Sequence, residues 1–164
     1  MLAVTTLIAP TPQAQPADLD PAIQLEGVQL SLGMPQEDVL RKLAPVCEVN
    51  QVANVAGNWS VTRRGEPRSR HVGIVVFGGG KLSFVLKNWG PEFDNQTASA
   101  ASLSLHKAVE AVVGGGARAC NVSVKTADKG HKTVISCGPH RIEVFAPSDP
   151  AYTTTVQEVL SSER

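Results

Sequence analysis

Aromatic side chains are scarce in this chain, at 4% of 164 residues. Few flat platforms are therefore on hand for stacking bases or sugars, and aliphatic side chains must do most of the packing. An excess of charge of either sign is also missing. Fifteen basic residues face fifteen acidic ones, which gives no global steering toward DNA, RNA or an anionic membrane. Three cysteines are too few for a dense disulfide framework or paired zinc knuckles. The apolar run from Leu2 to Pro10 is too short to span a bilayer. Catalytic signatures are thin as well: there is no Gly-x-Ser-x-Gly elbow, and the glycines at 78–80 run into Lys81-Leu82 rather than a phosphate-loop Lys-Ser/Thr. No cofactor is implied. What remains is an ordinary globular composition, 42% hydrophobic and 18% charged. A chain of this length buries roughly 70% of its unfolded surface, enough for a core without metal.

Residues 1–21 read as a leader-like segment. A short apolar run precedes a Pro/Gln/Ala stretch with small residues such as Ala14 and Ala17, as before a secretory cleavage zone. No Lys or Arg precedes Arg41, and no cysteine near the start offers a lipid anchor. The expectation is a periplasmic or secreted protein, with a cytoplasmic one as the alternative.

Two units are expected after the leader, 22–95 and 96–164, packed as one compact domain. The first begins with a strand at "IQLEGVQL". A helix follows in "LGMPQEDVLRKLAP", with Pro35 at its first position, Glu37 and Asp38 in the first turn, and Arg41 and Lys42 in the last. Strands are expected at "VCEVNQV" and "NWSVTR". The second unit opens with a helix in "SLSLHKAVEAVVGGG", striped by Leu105, Ala108, Val109 and Val112 and stopped by Gly114. Strands follow, and "DPAYTTTVQEVLSSE" reads as a closing helix capped by Asp149. Each half runs from a helix through a Cys-x-Val step into a hairpin. The predicted class is α+β: an antiparallel sheet with helices packed on one face, as a tandem repeat of helix plus three or four strands.

Two hairpins carry a register. In "HVGIVVFGGGKLSFVLKNW" a three-residue glycine loop sets Val76 against Leu82, Ile74 against Phe84 and Val72 against Leu86, on one core face. In "CNVSVKTADKGHKTVISC" a two-residue loop at Asp128-Lys129 sets Cys120 against Cys137, Val122 against Ile135 and Val124 against Thr133. Gly130 leaves a three-residue loop open. Facing cysteines can bridge, and such a bond persists outside the reducing cytosol; two buried thiols are the alternative. Cys47 is left over as a buried thiol.

Site candidates are few. Arg63, Arg64, Arg68, Arg70 and His71 gather on one inter-strand connection, and guanidinium forks suit carboxylate or phosphate partners. "CGPH" at 137–140 has the outline of a thiol redox site, but a β-like run follows instead of the helix that would stabilise a thiolate. Cys120, Cys137, His131 and His140 match no paired metal spacing. Trp59 and Trp89 suit core or sheet-edge packing.

"LSLGMPQEDVLRKL", "NWSVTR" and "VVFGGGKLSFVLKNW" together resemble the small outer-membrane lipoprotein family SmpA/OmlA, the E subunit of the barrel-assembly machine. The likeness covers about residues 25–90, through Gly33, Met34, Val39, Leu43, Trp59, Phe77 and Gly80. The order of elements in the second half resembles the tandem fold of β-lactamase-inhibitor proteins. The chain departs from the lipoprotein pattern by lacking the lipid-attachment cysteine. The resemblance implies architecture more than activity. The expected function is an exported, non-catalytic binding or assembly module for a protein partner or an anionic envelope component. A thiol- or metal-dependent enzyme at Cys137/His140 and a cytosolic regulatory or inhibitor module are the alternatives.

Overall fold

The computed structural model describes residues 21–65, 70–90, 98–114, 120–149 and 152–162. The expected leader lies outside them, apart from Pro21. The expected α+β class is overturned: ten strands and only two helices make up the described elements, so the protein is mostly β. Strands β1 (Ala22–Leu25) and β2 (Val28–Ser31) form a separate two-stranded ribbon. Helix α1 (Gln36–Leu43) follows, and then β3 (Cys47–Gln51), β4 (Asn58–Arg63), β5 (His71–Gly78) and β6 (Lys81–Asn88). Helix α2 (Ala98–Gly114) leads into β7 (Asn121–Ala127), β8 (Gly130–Cys137), β9 (His140–Pro147) and β10 (Thr155–Ser161). The eight later strands form one antiparallel sheet in the order β3-β4-β5-β6-β10-β9-β8-β7.

The expected closing helix is strand β10, and this is the largest correction. The run Thr153-Thr154-Thr155-Val156 is β-branched and stiff at χ1, which favours a pleated strand over a helix. The strand also fills the central slot of the sheet, pairing with β6 on one side and β9 on the other. Those two ladders outweigh the helical cap signal of Asp149.

The ribbon corrects the single strand expected at the start. Glu26 and Gly27 both take positive φ, at 50° and 79°, as a tight two-residue hairpin turn requires. Pro35 sits at the N-cap of α1 rather than inside it. Ile23, Leu25 and Leu30 from the ribbon join Val39 and Leu43 from α1 over Val61, Val75, Phe77, Leu82, Val85 and Leu160 of the sheet. On the other half, Ala108 and Val112 of α2 pack on Ile142 and Val156. Both clusters lie on the same face, because Val156 and Leu160 are two apart on either side of Glu158 in β10.

The β5–β6 hairpin differs from its expected register. Its loop has two residues, Gly79 and Gly80, at φ 58° and 74°. Ile74 pairs with Leu86, Val76 with Phe84, and Phe77 with Leu82, because Ser83 is an extra residue that bulges from β6. Two adjacent positive-φ residues favour glycine, and three glycines in a row left the loop length undetermined. The core face is the expected one only in part: Val72 and Leu82 are buried in the core as expected, and the other four residues are not on that face. Val75, Phe77, Leu82 and Val85 point into the core, while Ile74, Val76, Phe84 and Leu86 line the other side of the sheet. Both faces of this hairpin are apolar, so alternation alone carried no sign.

Candidate functional site

Cα partners across a ladder share a face, which lets the sheet's second side be read from its register. Ile74, Val76, Phe84 and Leu86, each half-buried, form its aliphatic centre around Val159, which is buried at 2% exposure; β5, β6 and β10 carry them. No described element packs over them; the ribbon, α1 and α2 all occupy the opposite face. A polar border surrounds that centre. Gln157 Nε2 donates to Asn88 Oδ1 at 3.0 Å, and the Asn88 amide sits 3.0 Å from His71 Nδ1. On β8 and β9, Lys132 Nζ pairs with Glu143 at 2.7 Å and Arg141 Nε lies 3.4 Å from the same carboxylate. Two depressions open on this side. One, of about 370 Å³, is lined by Asn58, Val76, Ser83, Phe84, Ser161 and Ser162. The other, of about 670 Å³, lies at the strand ends among Phe145, Thr155, Pro147, Tyr152 and the Asp128-Lys129 turn. An aliphatic centre with a charged rim is the anatomy of a protein-binding surface.

The covered face holds a second feature, a cleft of about 600 Å³ where the ribbon, α2 and the sheet meet. Glu158 lies at its floor with a side chain only 4% exposed. The Trp89 indole N–H donates to Glu158 Oε2 at 2.9 Å. His140 Nδ1 stands 3.6 Å from Oε1 and makes no hydrogen bond to a described residue. Lys87, the cross-strand partner of Glu158, lays its ammonium 3.6 Å from the centre of the Trp89 ring. Burial pushes the Lys87 ammonium below the ordinary lysine value, and Glu158 and then Glu26 pull against that shift. The carboxylate is tied to the indole, and the lysine lies over the same ring. The cluster joins the two halves of the core more than it offers a reactive group.

The residues singled out by sequence are dispersed. Arg63 pairs with Glu26 at the ribbon turn. Arg64 Nε donates to the Cys47 carbonyl at 3.1 Å, Arg70 donates to the Gly90 carbonyl at 2.7 Å, and His71 faces Asn88. Arg68 lies outside the described residues. Trp59 packs on the first core cluster and Trp89 on the second. Reading "Val156-x-Glu158-x-Leu160" as a strand would have placed a carboxylate inward; the helical reading hid that signal.

The β7–β8 register is the expected one, with Val122 opposite Ile135 and Val124 opposite Thr133 around a two-residue turn. Cys120 and Cys137 are bonded, with their sulfurs 2.07 Å apart, so Cys137 offers no thiolate in this state. Cys47 is free and fully buried, and its pKa is raised first by burial and then by Glu26, against Arg63 and Arg64. A raised thiol pKa contributes stability below the ordinary thiol value, and that contribution fades as pH climbs through the folded value. Native protein without reductant should therefore show no fast-reacting thiol toward a disulfide reagent at pH 8, and denaturation should release one per chain. Two or more thiols reacting in the folded protein would mean the bridge is open. No protein-family model, curated protein or solved structure matches the chain.

Proposed function

We propose that the protein is an exported, non-catalytic binding module that takes a protein partner on the uncovered face of its eight-stranded sheet. The observation that carries this is the half-buried aliphatic centre of Ile74, Val76, Phe84 and Leu86 around the buried Val159, on the side of the sheet opposite the described ribbon and helices. A contiguous apolar patch with a polar rim marks an interaction site more often than idle surface. The Cys120–Cys137 bond supports an oxidising compartment, in keeping with the leader-like start. The likeness of residues 25–90 to the SmpA/OmlA family points to an assembly or adaptor role in the envelope. The sheet face has more support than the arginine connection, because Arg63, Arg64 and Arg70 direct donors to groups inside the protein. Thiol chemistry at Cys137 and His140 would first require reduction of the bridge.

A photo-reactive phenylalanine analogue at position 84 tests the reading against the same analogue at Leu103, an exposed position on α2. In envelope extract, position 84 should give one discrete protein adduct that position 103 does not. Ile74→Asp together with Leu86→Asp should reduce that adduct at least tenfold. Equal labelling at both positions, or none at either, would overturn the assignment to this face.

A further inference from the structure

Strand β7 ends the sheet, and no described strand pairs with its outer side. Such an edge presents a row of backbone donors and acceptors, which natural proteins usually blunt with charge, proline or a bulge. β7 carries no proline and a single charge, Lys125, and its ladder to β8 runs without a register shift. Val122 and Val124, two residues apart on one face, are each 65% exposed. Helix α2 packs on β9 and β10 and leaves this margin of the sheet beyond its cover. The Cys120–Cys137 bond ties the start of β7 to the end of β8 and holds the edge in line. Strand β3, at the opposite edge, has five residues, and its Val49 is half-buried against the core.

We propose that β7 pairs antiparallel with β7 of a second copy of this chain, joining two eight-stranded sheets across a two-fold axis. The sequence "NVSVKTA" is complementary to itself. With the axis at Ser123, Val122 faces Val124 of the partner subunit and the reverse, and Lys125 faces Asn121 of the partner subunit. Four valines then form one patch on the face that carries the helices, and no like charges meet. An interface between identical patches closes on itself as a dimer instead of growing into a fibre. One strand pair buries little surface, so the association is weak and depends on concentration. The inference goes beyond the proposed function and does not rest on it: the uncovered face stays open in the dimer.

Sedimentation of the oxidised protein from low micromolar to millimolar concentration reads the outcome. The expected result is a monomer–dimer equilibrium, with slower amide exchange along β7 as concentration rises. Val124→Lys should weaken the dimer at least tenfold. Val113→Lys, at a 52% exposed position on α2, and Ile74→Asp on the other face should leave it unchanged. The β7 exchange measurement needs no variant, so misfolding of Val124→Lys would not hide the answer. A monomer at every concentration would overturn the proposal. So would a dimer indifferent to Val124→Lys, or one weakened as much by Val113→Lys.

Discussion

Replacing Gly73 with alanine should lower the melting temperature by roughly 6–12 °C, following from a loss of about 3 kcal/mol in a chain of this size. A β-carbon at this position would sit 2.1 Å from the Leu86 carbonyl oxygen and 3.3 Å from Leu25 Cδ1. The first neighbour is backbone and cannot rotate away. Either β6 yields along the ladder that pairs Gly73 with Lys87, or the β1–β2 ribbon lifts off the sheet. Both outcomes loosen the cluster that contains Leu25, Val61 and Val75. Gly78 is the control. Its added β-carbon would meet Ser83 Oγ at 3.6 Å, an ordinary contact, so Gly78→Ala should melt within about 2 °C of the parent. Calorimetry on the two variants reads the contrast, and equal melting temperatures would contradict the close approach at Gly73.

The elements that could be read from sequence are those whose period and turn chemistry agree. In α2, Ala108 and Val112 fall on the buried stripe, with Leu105 and Val109 beside it, because each heptad of "SLSLHKAVEAVVG" has one apolar side. In β7–β8 the two-residue loop was favoured over the three-residue one that Gly130 left open, because it puts the valines and both cysteines on one face, and the strands pair in that register. β10 shows the limit. Its alternation is blurred because Val156, Glu158, Val159 and Leu160 are all buried, in a strand flanked by β6 and β9 at the centre of the sheet. A run with no dry-wet rhythm cannot be told from a helix by period, and the cap-like Asp149 tipped the reading the wrong way. The α+β class failed at that element above all.

The candidate site was less legible, for a different reason. Alternation in β5 and β6 assigns Ile74, Val76, Phe84 and Leu86 to one face but does not say which face the ribbon and helices will cover. That is decided by the connection from β2 into α1. Gly33 and Gln36 donate to the Leu82 and Gly80 carbonyls at 2.7 and 2.9 Å and pin the ribbon to one side. The arginines' partners, by contrast, are remote in sequence and could not be read from it. Glu26 lies 37 positions before Arg63, and Arg64 and Arg70 likewise direct donors to the carbonyls of Cys47 and Gly90, far from them along the chain.

Removing the carboxylate of Glu158 should be among the most disruptive single changes in the protein. Glu158→Ala leaves the Trp89 indole N–H without its acceptor and removes the carboxylate that most favours the charged form of the desolvated Lys87. Breaking a buried, hydrogen-bonded charge arrangement on one side costs about 3–5 kcal/mol. Glu158→Gln separates the two contributions. The amide oxygen can still accept from the indole, so this variant loses the charge alone and should cost about 1–2 kcal/mol. The sign of the pH dependence then identifies the lysine. Because burial lowers the folded Lys87 pKa, the unfolded chain holds the proton more tightly, and stability from this group rises as pH passes upward through the folded value. Once the amine is neutral it no longer rewards a carboxylate opposite it. The stability gap between the parent and Glu158→Gln should therefore narrow in that alkaline window, while the gap to Glu158→Ala keeps the part owed to the indole. Denaturant titrations from pH 7 to pH 10 would show this. A Gln gap that stays constant across that range would mean the carboxylate acts on Trp89 and His140 without Lys87.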